Sequence, residues 1–162
     1  MSPAGPALIG FDGTPASRVA LEEAAQLLRP RRAIVVVVWE PGRAYELLEP
    51  PSRILETPAT TLDIRTALEV EEAMYREAQQ LAQQGASLAE SLGLDAEGLA
   101  VADDADVPAT LVRVAGDVDA AALVVGAHNH GRLSEILLGT TATAVLRRSP
   151  CPVVVVRERA TR

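Results

Sequence analysis

The sequence predicts an α/β fold in which a parallel sheet is covered by helices on both faces. Segments with strand periodicity and segments with helix periodicity alternate along the chain. The run Ala33–Trp39 is apolar on both sides, which is typical of a central strand in a parallel sheet. The chain has 162 residues, of which 48% are hydrophobic, and this is enough for one core. We therefore expect a single domain over residues 1–162.

The first part of the chain predicts two strands separated by a helix. Ala7–Phe11 is a short apolar run that leads into Asp-Gly-Thr-Pro, a turn sequence. Ser17–Leu28 carries apolar residues at helical spacing and stops just before Pro30. Ala33–Trp39 is the second strand. Residues 40–67 contain four prolines and predict a long irregular connection.

The second part of the chain continues the alternation. Leu68–Leu92 has one apolar and one polar face, so it predicts a long amphipathic helix, which ends at Gly93. Because consecutive parallel strands need crossover connections, strict alternation favours a parallel sheet. The remaining predicted elements are a weak strand at Gly98–Ala102, a helix that ends at Gly116, a buried strand at Ala121–Gly126, a helix at Thr140–Arg148 and a last strand at Pro152–Arg157.

Composition argues against several classes of function. The chain has no lysine, which excludes Schiff-base chemistry and a Walker A loop. A formal net charge of -7 and only four scattered aromatic residues argue against a nucleic-acid partner. No apolar run approaches the ~20 residues of a membrane span, so we expect no membrane partner. The single cysteine, Cys151, cannot form an internal disulfide, and we expect a cytoplasmic protein.

Two glycine-containing loops follow predicted strands, at the edge where sheets of this kind bind ligands. The first is Gly10–Thr14, and the second runs from Gly126 to Gly139–Thr141. Gly126 permits close approach of the loop backbone to a phosphate. Gly139–Thr141 places free N–H groups and two hydroxyls at a helix N-terminus, which favours an anion such as phosphate. A simple helix cap is the alternative explanation of Gly139 and Thr140.

The spacing of the second loop resembles that of the universal stress protein family. The family loop is G-x-x-G, nine residues and G-[ST], and it follows a strand that ends in V-V-G. In this chain Val124–Asn129, the nine residues 130–138 and Gly139–Thr140 follow in the same order. The family's terminal strand, C-P-V-x-V-V, matches Cys151–Val156.

The resemblance extends over nearly the whole chain. The family's opening, D-G-S and then S-x-x-A-L, matches Asp12–Thr14 and Ser17–Leu21, and its V-V-E-P matches Val38–Pro41. Only residues 42–67 lack a clear counterpart. We therefore predict an open, doubly wound, Rossmann-like sheet of five parallel strands in the order 3-2-1-4-5, with residues 40–67 as a variable loop over the site.

What the resemblance implies is an ATP-binding regulatory or stress-response module. ATP, alone or with Mg²⁺, is the implied cofactor, and a homodimer through Val153–Val156 is the implied assembly. No catalytic residue is implied, so we expect no dedicated enzyme and at most slow ATP hydrolysis. The residues implied to frame adenine and ribose are Gly10, Asp12 and Val38. Those implied to line the phosphate loop and close on the phosphates are Val125, Gly126, Asn129, Gly139, Thr140 and Thr141.

Asn129 is the one departure from the motif, because the family has glycine at that position. Asparagine adopts positive φ more readily than other non-glycine residues, so the loop shape can persist. Its side chain, however, takes space that glycine leaves for phosphate. The alternative function is therefore a nucleotide-free dimeric scaffold of the same fold.

Other candidate groups carry less weight. His128 and His130 lie on a predicted loop without a carboxylate or cysteine partner, so we expect no metal site. The acidic run Asp103–Asp106 lacks the spacing of a calcium loop and predicts a turn and a helix cap. Trp39, at a strand end, either contacts a ligand or packs in the core.

Overall fold

The computed structural model describes most of the chain and shows the predicted alternation of strands and helices. The residues described are 5–28, 32–42, 61–103, 105–127 and 139–157, with the side chains of 61–63 excepted. The elements in this part of the chain are β1 (Ala7–Gly10), α1 (Pro15–Leu27), β2 (Arg32–Trp39), α2 (Thr61–Ser91), β3 (Asp95–Ala102), α3 (Val107–Asp117), β4 (Ala122–Ala127), α4 (Thr140–Arg148) and β5 (Val153–Arg157).

The strands form one parallel sheet with the order β3-β2-β1-β4-β5, as predicted. The first strand is central, since Ile9 lies opposite Val35 on one side and Val124 on the other. The chain proceeds from β1 toward β3 at one edge and then returns to place β4 and β5 on the other side. The order of strands therefore reverses at β1, and a crevice at the carboxyl ends of β1 and β4 is the expected ligand position.

The sheet has an apolar layer on each face. Ile9, Val35 and Val124 pack with α1 and α2, and this layer is rich in buried alanines of the two helices. Their neighbours along the strands, such as Leu8 and Leu123, point to the other face and pack with α3 and α4. The unbroken apolar sequence of β2 thus reflects burial on both sides.

The α2 helix approaches the sheet very closely. A Cβ atom added at Gly98 of β3 would lie 2.5 Å from the backbone oxygen of Ala82, well inside van der Waals contact. The helix face toward the sheet carries buried alanines, including Ala78 and Ala86. Small residues on both elements therefore set this short distance.

Most boundaries lie within two residues of the sequence prediction, but those of two elements differ by three residues or more. The α2 helix begins at Thr61 rather than Leu68, because the last proline of the connection is Pro58 and nothing after it interrupts a helix. Ala67, which the prediction placed in the loop, is buried in the core. The β3 strand begins at Asp95 rather than Gly98, and its exposed and half-buried residues alternate, as in an edge strand. Residues 43–60 of the predicted loop lie outside the described part of the chain.

The start of α1 also differs slightly from the prediction. The helix begins at Pro15 rather than Ser17, with proline in the first turn, where its missing N–H is not needed. Thr14 is the N-cap, and its hydroxyl accepts a hydrogen bond from the Ser17 N–H at 3.3 Å. Within the described residues, no helix is long and apolar enough to cross a membrane.

Candidate functional site

A cavity of about 230 Å³ lies at the carboxyl ends of β1, β2 and β4, where the strand order reverses. It opens on the face of the sheet covered by α3 and α4. Pockets for drug-sized ligands usually measure roughly 300–1,000 Å³, so the walled part matches only a portion of a nucleotide. Its described lining residues are Gly10, Phe11, Asp12, Ser17, Val36, Val38, Val107, Leu111, Val125, Gly126 and Thr141.

The inner wall of the cavity is apolar. Val36 and Val38 are two residues apart on β2, so their side chains share one face. Leu111 of α3 lies across from them. At Gly10, an added Cβ would lie 3.5 Å from both Leu111 Cδ1 and Val125 Cγ1. The missing side chain at Gly10 therefore leaves the space between these two residues open.

The mouth of the cavity carries a carboxylate held by the β1–α1 turn. Asp12 Oδ1 accepts hydrogen bonds from the Thr14 backbone N–H at 3.0 Å and from the Thr14 hydroxyl at 2.6 Å. Between them Gly13 has a φ of 77°, which glycine adopts without strain. Ser17 Oγ donates to the Thr14 carbonyl at 3.0 Å. The turn thus places an ordered acceptor beside the apolar wall.

The N-terminus of α4 contributes hydrogen-bond donors to the site. Gly139 is the N-cap, and as a glycine it has no side chain that could accept a hydrogen bond from the first turn of the helix. The first N–H groups of a helix have no partner within it, and the helix dipole adds partial positive charge there. Thr141 places its side chain on the cavity from this same turn. This end of the cavity is suited to an anion.

A sequence model of the universal stress protein family matches residues 5–157. This chain belongs to the universal stress protein family. No curated protein matches it.

Solved structures similar to this universal stress protein have the same fold at low sequence identity. The hypothetical protein MJ0577 has a TM-score of 0.71 and 19% identity, with 98% of this chain and 99% of that chain covered. A universal stress protein in complex with cAMP has a TM-score of 0.63 and 24% identity, with 94% and 97% covered. The universal stress protein of Archaeoglobus fulgidus in complex with dAMP has a TM-score of 0.59 and 19% identity, with 93% and 96% covered.

The structure brings together six of the nine residues predicted for the site. Those that line the cavity are Gly10, Asp12, Val38, Val125, Gly126 and Thr141. Gly139 caps α4 beside them, and Thr140 lines a separate shallow depression along α4 with Thr143, Ala144, Arg147 and Arg148. Asn129 lies outside the described residues, as do His128 and His130.

Gly126 has a structural requirement that the motif did not reveal. An added Cβ would lie 2.7 Å from the Ala16 backbone oxygen and 3.1 Å from the Ser17 backbone nitrogen. Those atoms belong to the first turn of α1, so a side chain at this position would push the helix off the sheet. This packing requires glycine at position 126 independently of the predicted approach of the loop backbone to a phosphate.

Five lining residues were missed by the sequence prediction: Phe11, Ser17, Val36, Val107 and Leu111. Val36 could have been found, since it precedes Val38 by two residues on the same strand. Val107 and Leu111 are four residues apart on one helix face. Their position depends on which helix covers this end of the sheet, and the local sequence does not specify that.

The acidic turn before α3 caps that helix, as predicted, and residues of α3 form one wall of the cavity. Asp106 is the N-cap, and its Oδ1 accepts hydrogen bonds from the Ala109 N–H at 2.6 Å and from Arg148 Nη2 at 3.0 Å. Asp103 Oδ1 accepts from the buried Thr110 hydroxyl at 3.1 Å. Among the residues described, no cluster of histidine, cysteine and carboxylate side chains could hold a metal ion.

Proposed function

We propose that this universal stress protein is a regulatory module that binds an adenine nucleotide in the cavity at β1, β2 and β4. The observation that carries the proposal is the arrangement of the cavity, with an apolar wall, a fixed carboxylate at its mouth and a helix N-terminus at one end. The relatives described above in complex with cAMP and dAMP support an adenine nucleotide as the ligand.

Each part of the cavity suits one part of a nucleotide. The valines of β2 and Leu111 offer an apolar surface to a flat base. The Asp12 carboxylate accepts hydrogen bonds, as needed by a ribose hydroxyl or an exocyclic amine. Thr141 and the first N–H groups of α4 donate to a phosphate. The walled volume of about 230 Å³ leaves the phosphates toward the open end.

ATP, alone or with Mg²⁺, is the nucleotide that we propose on the strength of the loop motif. The residues proposed to hold it are the nine predicted ones, with Asn129 and Gly139 on the phosphate side. Asp12 is the one titratable side chain among the described lining residues, and its Oδ1 already accepts two hydrogen bonds from Thr14. We assign Asp12 to nucleoside binding, so hydrolysis should be slow and the protein regulatory.

We also propose that the chain acts as one cytoplasmic domain that forms a homodimer through β5. The β5 strand is at the edge of the described sheet and pairs there with β4 alone. Val153–Val155 are only half-buried in the single chain. An apolar edge strand is normally covered or paired, and a second copy supplies both.

Mass spectrometry of protein purified without added nucleotide, followed by calorimetric titration, tests the ligand. We expect release of an adenine nucleotide on denaturation, and saturable binding of ATP that GTP does not reproduce. Parallel titrations with adenosine, AMP and ATP, with and without Mg²⁺, rank the possible ligands. Absence of binding for all of them would contradict the proposal and favour the nucleotide-free scaffold.

A further inference from the structure

A second cavity, shallow and open, with a volume of about 280 Å³, lies on the opposite face of the sheet from the proposed nucleotide site. It is lined by Trp39 at the end of β2 and by Leu68, Glu71, Glu72 and Tyr75 of α2. Trp39 packs with the sheet face that α1 and α2 cover, whereas Val38 packs with the other face. The two cavities therefore sit at the end of the same strand but are separated by the sheet.

Two aromatic rings form the floor of this second cavity. The ring centroids of Trp39 and Tyr75 are 5.5 Å apart, with an angle of 45° between the ring planes. The Tyr75 hydroxyl is held by Gln79 Nε2 at 2.9 Å. Tyr75 and Leu68 are 39% and 56% exposed, so both present apolar surface beside Trp39. This apolar surface is open to a ligand.

Two polar groups at the cavity lack partners in the described part of the chain. The Trp39 Nε1 atom is buried and has no hydrogen-bond partner. Glu71 is half-buried and forms neither an ion pair nor a hydrogen bond with the residues described, whereas its neighbour Glu72 pairs with Arg76 at 3.1 Å. The Trp39 Nε1 atom is out of reach of a ligand because it is buried, so Glu71 is the polar group that a ligand at this cavity can meet.

The geometry points to the arginine side chain of a partner protein as the occupant of this cavity. A guanidinium is planar, stacks on aromatic rings and forms paired hydrogen bonds with a carboxylate such as that of Glu71. The chain's formal net charge of -7 favours a basic partner over an acidic one. The second cavity is thus a docking site for an arginine-bearing peptide segment.

Fluorescence provides a direct test, because Trp39 is the single tryptophan of the chain. The probe is the blocked peptide acetyl-Ala-Arg-Ala-amide, and the control peptide carries citrulline, which keeps the shape of arginine without its charge. We expect the arginine peptide to produce a saturable change in Trp39 emission that weakens with added salt. The citrulline peptide should bind at least about tenfold more weakly, as expected on loss of a charged hydrogen bond.

Two variants with the same charge change separate the cavity from general electrostatics. Glu71→Gln should reduce peptide affinity about tenfold, since it removes the carboxylate that receives the guanidinium. Glu69→Gln is the matched control, because Glu69 lies on the same helix, pairs with Arg65 at 3.7 Å and does not line the cavity. It should leave the affinity unchanged within about twofold.

The Trp39→Leu variant tests the aromatic ring. This change keeps an apolar side chain without an aromatic face, and calorimetry replaces fluorescence as the measurement. We expect a loss of peptide affinity on the order of fivefold, as for one contact between a cation and an aromatic face. No emission change at millimolar arginine peptide, equal binding of the citrulline peptide, or equal effects of Glu71→Gln and Glu69→Gln would each overturn the inference.

Discussion

Thr140 and Thr141 are adjacent in the sequence, but they lie on different faces of α4 and line different surfaces. The motif treats both as phosphate contacts, yet consecutive residues of a helix point about 100° apart. Thr141 lines the cavity, and Thr140 faces the depression along the outer side of α4. The sequence could identify the helix N-terminus as part of the site, but the choice between the two side chains depends on how α4 packs on the sheet.

The two threonines should therefore differ in their effect on nucleotide binding. Thr141→Ala removes a hydroxyl proposed to contact a charged phosphate, a contact worth roughly 1.5–3 kcal/mol, so ATP affinity should fall about tenfold or more. Thr140→Ala should change it less than about twofold. Calorimetric titration of both variants measures the difference. Equal losses would mean that Thr140 also faces the ligand.

The elements of the fold were predicted more reliably than their ends. The alternation of strands and helices and the apolar β2 were enough to give the sheet, because a strand that is apolar on both faces must be covered on both faces. The start of α2 at Thr61 was missed because four prolines earlier in the segment suggested a loop throughout. The early start of β3 was missed because Asp95 and Glu97, charged and outward on an edge strand, do not give a strand-like apolar run.

The cap of α3 predicts a stability effect at the level of a single element. Asp106→Ala removes the acceptor for the Ala109 N–H and should lower the free energy of unfolding by about 1–2 kcal/mol. Asp106→Asn keeps a good cap and loses only a surface ion pair with Arg148, so it should cost less than about 1 kcal/mol. Urea denaturation measures both variants. An equal cost for the two would show that the ion pair, and not the cap, stabilises this end of α3.

At the scale of the whole molecule, the half-buried valines of β5 predict self-association. Sedimentation equilibrium at micromolar concentration should give a species of twice 17.1 kDa, the mass of one chain. Val154→Lys, at a half-buried position of β5, should shift the protein toward monomer. Circular dichroism on the same variant checks that the fold is retained. A wild-type protein that sediments as a 17.1 kDa monomer would contradict the dimer.

Packing between distant parts of the chain explains why part of the cavity lining escaped prediction. Gly10 and Asp12 follow β1, and Val125 and Gly126 belong to β4, so the rule that ligands bind at carboxyl ends of strands was sufficient for them. The wall from α3 depends on long-range packing, which no local pattern encodes. The Asp106–Arg148 pair, 42 residues apart in sequence, is one of the contacts that link α3 to α4.

Calorimetric titration of ATP into the wild type and two glycine variants tests the central claim most directly. Gly10 does not have positive φ and lies in a strand, so Gly10→Val is compatible with its backbone while filling the space beside Leu111 and Val125. Gly116→Ala is the control, since its added Cβ would lie 4.0 Å from its nearest neighbour, Pro150, away from the cavity.

Thermal unfolding identifies any loss of fold in these variants, and Gly10→Ala is a smaller substitution at the same position. We predict that the wild type and Gly116→Ala bind ATP equally and that Gly10→Val binds at least about tenfold more weakly, a loss of ~1.4 kcal/mol. Undiminished binding by a folded Gly10→Val protein, or no binding by the wild type, would contradict the assignment of this cavity as the nucleotide site.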